Sequence, residues 1–368
     1  MSHIVIDARE SGTTSGRYVD KLVEYLHKLP SEHQFTLLAK PHRLDYLHTI
    51  APAFALIETK HKEFSLSEQF GLLGQINALH ADLVHFPMPQ QPAFYSGPVV
   101  TTIQDLTTVR FRNPAKNPLV FWTKQQVYKW LIRRVAHKSK LLIAISEFVK
   151  HDVADFAHVS PDKITVTLEA ADLMPEDSMP VMGLEGKQFI MYVGRPTPHK
   201  NLARLIDAFV ELQATHPELL LVLAGKKDYN YQQHEARVQK DGIKGVLFTD
   251  FIPDEQLRWL YEHCAAYVFP SLSEGFGLPG LEAMLHGAPV VSSNAPCLPE
   301  VHGDAAQYFD PLDVHDMATK IAEVIDNENL RADFIAKGKA RAATFSWDRM
   351  ATQTLEVYNR TLGNSNEE

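Results

Sequence analysis

Short apolar runs alternate with helix-period segments along almost the whole chain, the pattern left by βα units that stack a parallel sheet between helices. In the first half Ile4–Asp7, Gln34–Ala39, Leu83–Phe86, Val99–Ile103 and Leu141–Ile145 read as strands, and Tyr18–Leu29 as a helix. Two prolines, two glycines and several acids then break the periodicity across Leu173–Lys187, as an interdomain linker does. Beyond it Phe189–Val193, Leu219–Ala224, Gly245–Phe248, Ala266–Phe269, Pro289–Ser292 and Gln307–Phe309 repeat the theme. Leu202, Leu205, Ile206, Phe209 and Val210 recur on one face of a helix, with Asn201 at its N-cap position. The expectation is an α/β protein of two doubly wound, Rossmann-like domains, 1–178 and 179–345. Such sheets bind ligands beyond the carboxyl ends of their strands, and two of them place those ends around one cleft.

A length of 368 residues fits two domains, each able to bury a core. A net charge of -9 argues against a surface built to neutralise nucleic-acid phosphates. Cys264 and Cys297 stand alone without a CxxC pair, so neither a disulfide framework nor a cysteine-rich zinc site is expected. The 18 histidines form no HExxH or HxxxH pair with convergent acids, so no metal ligand set is expected either. The first residues, MSHIVIDARESG, lack a basic and apolar leader, and no apolar run approaches a membrane span. These features together predict a cytoplasmic protein.

Candidate chemistry concentrates in SEGFGLPGLEAMLHG, Ser273–Gly287. Pro279 suits a first helical turn and Gly287 its end, while Leu278 stands where a capping Ser or Asp is expected. The first-turn amides then lack a side-chain partner and, with the helix dipole, form an anion site that adds ~0.3–1 kcal/mol per charge when exposed and up to ~2 when partly buried. Gly275 and Gly277 allow close backbone approach, and Glu274 and Glu282 add two acceptors suited to vicinal hydroxyls. A diphosphate carrying hydroxyl-rich groups, a nucleotide sugar, fits that combination. Two solvated acids at a helix start are the alternative reading.

The spacing of Glu274 and Glu282 within EGFGLPGLEAM resembles the Glu-x7-Glu signature of retaining glycosyltransferases of family 4. The resemblance runs on through YVGRPTPHKNLARLIDAF, LLLVLAGK, FTDFIPDEQLRWLYEHCAAYVFPS and GAPVVSSNAPCLPEVHGDAA, and more loosely through the first half. It implies the GT-B fold, two Rossmann-like domains facing each other across a cleft, the first on the acceptor side and the second holding the donor. Similar family tails cross back to the first domain, the role implied for a helix over 346–362 with apolar Met350, Leu355, Val357 and Tyr358. It further implies transfer of a hexose, with retention of configuration and without a metal ion or other cofactor, to a saccharide or lipid-linked acceptor. Similarity to mannosyltransferases of polysaccharide assembly points to GDP-mannose as donor, with a UDP-sugar as the alternative.

Carried over position by position, Arg195 and Lys200 hold the donor diphosphate, Glu282 the ribose and Glu274 the transferred sugar. The backbone of Phe276, Gly277 and Leu278 meets the phosphate or sugar, and the base lies near Phe251 and Ile252. SGTTSGRYV resembles the glycine loop that reaches over the diphosphate, with Gly16 the equivalent position. In VVTTIQDLTTVRF the family's His-Asp pair reads Gln104-Asp105. Gln104 can accept a hydrogen bond but cannot titrate, so Asp105 is the candidate acceptor or sugar contact, with capping of the following turn as its alternative. In AISEFVKHD, Ser146 is expected to cap a helix.

Across 114–140, Lys116, Lys124, Lys129, Arg133, Arg134, Lys138 and Lys140 are interleaved with Phe121, Trp122, Tyr128 and Trp130. Such a stretch either meets an anionic membrane surface or lipid-diphosphate acceptor, or covers a sheet with its cations outward. Three rivals to the transferase reading are a GT-B-fold phosphorylase or epimerase, a non-catalytic nucleotide-sugar sensor, and a dinucleotide oxidoreductase. The last is disfavoured because ARESGTTSGRY follows the first strand in place of GxGxxG.

Overall fold

A computed structural model describes residues 1–111, 118–174 and 177–363. These fall into two compact units. One comprises Met1–Val109, Trp122–Glu169 and the chain from Ser346 onward; the other comprises Ala170–Phe345 and the short stretch beginning at Arg110.

The first unit is a seven-stranded parallel sheet of β1 (His3–Asp7), β2 (Gln34–Ala39), β3 (Ala55–Glu58), β4 (Leu83–Phe86), β5 (Val99–Ile103), β6 (Leu141–Ala144) and β7 (Ile164–Val166), in the order β3-β2-β1-β4-β5-β6-β7. The central strands are buried and largely apolar because helices cover both faces of the sheet, and the polar groups they bury are paired, as His85 Nε2 of β4 is with Thr102 Oγ1 of β5 at 2.9 Å. The edge strands β3 and β7 are absent from the pattern reading. They are short and partly exposed, so no continuous apolar run marks them.

The second unit is a six-stranded parallel sheet of β8 (Phe189–Val193), β9 (Leu220–Ala224), β10 (Val246–Asp250), β11 (Ala266–Phe269), β12 (Val290–Ser293) and β13 (Ala306–Phe309), in the order β10-β9-β8-β11-β12-β13. Its core sets Leu205, Ile206 and Phe209 of the Leu202–Leu212 helix against Ile190, Leu221 and Val268. Each such side chain contributes about 1.5–3 kcal/mol on burial. Val210 stays exposed, and Leu212 takes the next place on the buried face.

The stretch Leu173–Lys187, read above as a linker, lies inside the second unit where it is described. Met174 N donates to His286 Nε2 at 3.2 Å and Met179 N to Glu255 O at 3.0 Å. The Trp347–Leu362 helix packs within the first unit on the Arg17–Lys28 helix and on β4, β5 and β6. Trp347, Met350, Val357 and Tyr358 are its buried anchors, while Leu355 is only half-buried.

Candidate active site

In the second unit the chain order reverses between β8 and β11, which pair directly through Ala266 with Ile190 and Tyr267 with Met191. Loops leaving two adjacent strands at such a reversal emerge side by side. Here they are stitched together. Leu272 N donates to His199 O at 2.7 Å, and Asn201 Nδ2 donates to Pro270 O at 3.0 Å and to Pro311 O at 2.7 Å.

Asn201 is thus the N-cap residue of its helix in position only. Its backbone is left-handed at φ 60°, and its side chain makes no cap hydrogen bond: both amide protons serve those two carbonyls, and its Oδ1 accepts from Arg204 Nη1 at 2.9 Å. The reversal brings Lys200 to Glu274, with Nζ 2.6 Å from Oε1 and side-chain exposures of 19% and 12%. Arg195 is exposed, and its guanidinium makes no hydrogen bond or ion pair among the described residues; its carbonyl accepts from Thr197 N at 2.9 Å. Burial pushes the His199 imidazole down to about 4, helped by the neighbouring Lys200 charge, so it is neutral beside the pair.

The Leu278–Leu285 helix starts where the glycines predict, with one correction. The N-cap is Gly277, left-handed at φ 104°, and Leu278 is already the first helical residue. A glycine cap has no side chain to offer the first-turn amides, so the physical consequence drawn from Leu278 stands. A Cβ on Gly277 would lie 2.7 Å from Leu298 Cδ2, and one on Gly280 would lie 2.2 Å from His302 Nε2. His302 is fully buried, which pushes it down to about 4.

Glu282 is buried in the first turns, with the Tyr261 hydroxyl donating to Oε2 at 3.5 Å. The Phe276 ring sits in the core edge-on to Phe345, at 5.6 Å. Phe251 is 78% exposed just after β10, at the sheet edge and with β9 between β10 and β8. Asp250 turns the chain there at φ 64° and accepts from Phe251 N at 2.8 Å; Ile252 is half-buried. The sheet therefore gathers Lys200 and Glu274 directly and keeps Phe251 and Ile252 two strands away.

In the first unit the loop after β1 ends at Gly16, the N-cap of the Arg17–Lys28 helix. Its φ is an ordinary -76°, so the glycine is required by space alone: a Cβ would meet Glu10 O at 1.7 Å. Gln104 Nε2 donates to Ser15 O at 3.4 Å and ties this loop to the end of β5. Asp105 Oδ1 accepts from Thr107 N at 2.7 Å, the turn-capping contact. Ser146 caps the Glu147–Ala157 helix as expected, accepting from Val149 N at 3.2 Å.

Two buried groups escape the sequence reading. Arg9 is held by Asp7 at 2.7 Å and Glu68 at 3.0 Å beneath the β1 loop. Glu169 follows β7 and carries no motif. Trp122 and Trp130 of the Pro118–Lys138 helix are exposed, Phe94 packs on Trp130 at 6.3 Å, and Arg134 lies over the Phe94 ring at 6.0 Å. Lys116 of the basic stretch lies outside the described residues.

Residues 15–173 match the family model described as Glycosyltransferase Family 4, and residues 176–341 match that of glycosyl transferases group 1. Together the two matches span nearly the whole chain, which carries both of these glycosyltransferase domains. Gly16, Gln104, Asp105 and Glu169 of this glycosyltransferase fall within the first match, and Arg195, Lys200, Glu274 and Glu282 within the second.

O-antigen chain mannosyltransferase B of Escherichia coli is 33% identical over 60% of this chain and 60% of its own length. The serotype-specific mannosyltransferase WbdA of Escherichia coli is 31% identical over 62% of this chain and 30% of its own. The chain thus spans less than two thirds of the length of these relatives. Among solved structures, sucrose-phosphate synthase from Thermosynechococcus elongatus superposes with a TM-score of 0.77 at 18% identity, covering 99% of this chain and 100% of that one. The fold is GT-B, with the two Rossmann-like domains expected above.

Proposed function

We propose that this glycosyltransferase moves a hexose, mannose, from GDP-mannose to a hydroxyl of a saccharide or lipid-linked acceptor, with retention of configuration. The observation that carries the reading is the Lys200–Glu274 pair standing beside a helix start whose cap has no side chain. An anion set on that helix start gains from its amides and its dipole. The donor diphosphate offers Lys200 a second anionic partner, with Arg195 exposed beside it, and Glu274 then becomes an acceptor for hydroxyls of the transferred sugar. Glu282 serves the ribose, and Phe251 with Ile252 the base.

Negative charge grows on the leaving diphosphate as the glycosidic bond breaks, and fixed cations and amides stabilise it without reorganisation. The leaving phosphate takes the acceptor's proton in a front-face reaction, which needs neither an enzyme nucleophile nor a metal ion. The mannosyltransferase relatives support mannose as the sugar.

The test is a thermal-shift screen of nucleotide sugars followed by product analysis. A donor at ~100 times its dissociation constant adds ~2.7 kcal/mol of stability, and GDP-mannose is expected to give the largest shift and an α-linked product. No shift with any donor overturns the reading. Phosphorolysis or epimerisation in place of transfer assigns the chain to those reactions.

The exposed Trp122, Trp130 and Phe94 favour the membrane reading of the basic stretch over that of a helix with all its aromatics inward. Among the described residues no helix is long and apolar enough to cross a membrane, so the proposed contact is peripheral, on the cytoplasmic face. Vesicles of anionic lipid are expected to retain the protein at low salt more than neutral vesicles do; equal retention refutes the contact.

A further inference from the structure

Two buried phenols from different elements end on consecutive carbonyls of the loop that follows β8. Tyr192, fully buried in β8, donates from its hydroxyl to Arg195 O at 3.3 Å. Tyr231, 1% exposed in the Tyr229–Lys240 helix, donates to Gly194 O at 3.0 Å and shares that proton with Ala224 O, also at 3.0 Å. Glycines leave room for both hydroxyls. Gly194 stands at φ 140°, and a Cβ on it would lie 2.9 Å from Tyr192 Oη. One on Gly225, at φ 148°, would lie 2.6 Å from Gly194 O and 3.1 Å from Tyr231 Oη.

Arg195 O takes a second bond, from Thr197 N at 2.9 Å, which closes a three-residue turn about the buried Pro196. The two lone pairs of a carbonyl accommodate both donors, and the proline ring presets φ inside the turn. Gly194 N donates to Ala224 O at 3.0 Å. The backbone of 194–197 is thus pinned from β8, from the end of β9 and from the Tyr229–Lys240 helix. The Arg195 guanidinium, by contrast, is exposed and has no partner among the described residues. With no contact of its own to hold it, the range it sweeps is set by where the backbone places its Cα.

We propose that Tyr192 and Tyr231 are positioning residues, acting through the carbonyls of Arg195 and Gly194 to aim Arg195 at the donor diphosphate. Loss of either hydroxyl takes a donor from one of these carbonyls and loosens the turn without removing a charge. The aim of Arg195 rests on the donor-binding reading above; the hold on its backbone does not.

Two measurements on the full chain test this. In the first, binding of GDP, with UDP in parallel, is followed by calorimetry through a double-mutant cycle. Tyr192→Phe is expected to weaken nucleotide binding about 3- to 10-fold in the wild-type background but less than about 1.5-fold in Arg195→Ala, because coupled residues are not additive. Tyr231→Phe is expected to behave alike, and carries the cycle if Tyr192→Phe does not fold. A loss of equal size in both backgrounds is that of residues supporting the fold alone and overturns the proposal, as does unchanged affinity in the wild-type background. In the second, on the unliganded chain, hydrogen exchange is expected to quicken at least about fivefold at the Thr197 amide in Tyr192→Phe and at the Gly194 amide in Tyr231→Phe. Unchanged exchange at both amides overturns the hold. A wild-type chain that binds neither nucleotide refutes the donor-binding reading and with it the aim of Arg195, while exchange still decides whether the phenols hold the turn.

Discussion

Replacing Asn201 tests how the donor-side loops are held together. Its amide protons are committed to Pro270 O at 3.0 Å and Pro311 O at 2.7 Å, and its backbone sits at φ 60°. Asn201→Gly relieves the left-handed strain but leaves two buried carbonyls without donors, each costing about 1–3 kcal/mol, for about 2–4 kcal/mol after partial relaxation. Asn201→Ala adds about 1 kcal/mol for a Cβ in the left-handed region. Asn201→Asp is nearly isosteric and keeps the bond from Arg204 Nη1 at 2.9 Å. It nevertheless turns an acceptor oxygen toward two carbonyl oxygens, so it is expected to be the most damaging of the three. The assay is the urea unfolding midpoint, together with hydrogen exchange at the Leu272 amide, whose bond to His199 O closes the same junction. Expected stability falls in the order wild type, Gly, Ala, Asp, and Leu272 exchange quickens along the same series. An Asp variant within about 0.5 kcal/mol of wild type would show that the two carbonyls do not depend on Asn201, and the stitching argument would fall.

Gly280→Ala drives a methyl to within 2.2 Å of His302 Nε2 on a fully buried ring, so a loss of about 1–3 kcal/mol is expected on unfolding; an unchanged midpoint refutes it. Arg195→Ala removes an exposed side chain with no partner among the described residues, so turnover is expected to drop at least about tenfold while the melting temperature stays put; wild-type rates refute its role at the phosphates. Lys200→Ala is expected to lose turnover as well and, unlike Arg195→Ala, to strand the Glu274 carboxylate that it holds at 2.6 Å, which an accompanying fall in stability would reveal. Glu169 rises from about 4.5 unfolded to about 7 folded. Its contribution to stability is therefore whole below the unfolded value and is lost as pH climbs through 7, by about 3 kcal/mol. Glu169→Gln is expected to match the wild type in acid and to exceed it above neutrality; parallel stability curves refute this.

The central strands of both sheets and the helices between them were legible in the chain. A strand covered on both faces is buried and so mostly apolar, and a helix covered on one face is apolar at every third or fourth position. The start of the Leu278–Leu285 helix was legible for a related reason: its glycines and proline set the chain's course within a single loop and first turn. The edge strands β3 and β7 left no such trace, because a strand paired on one side alone needs no continuous apolar run. What only the tertiary structure decided is every relation that depends on sheet order. Lys200 meets Glu274 because β8 lies beside β11, and Asn201 reaches carbonyls 69 and 110 residues away for the same reason. The protonation of Glu169 belongs to this second class, since a carboxyl's charge is set by its burial and its neighbours, and both come from parts of the chain that only folding brings together.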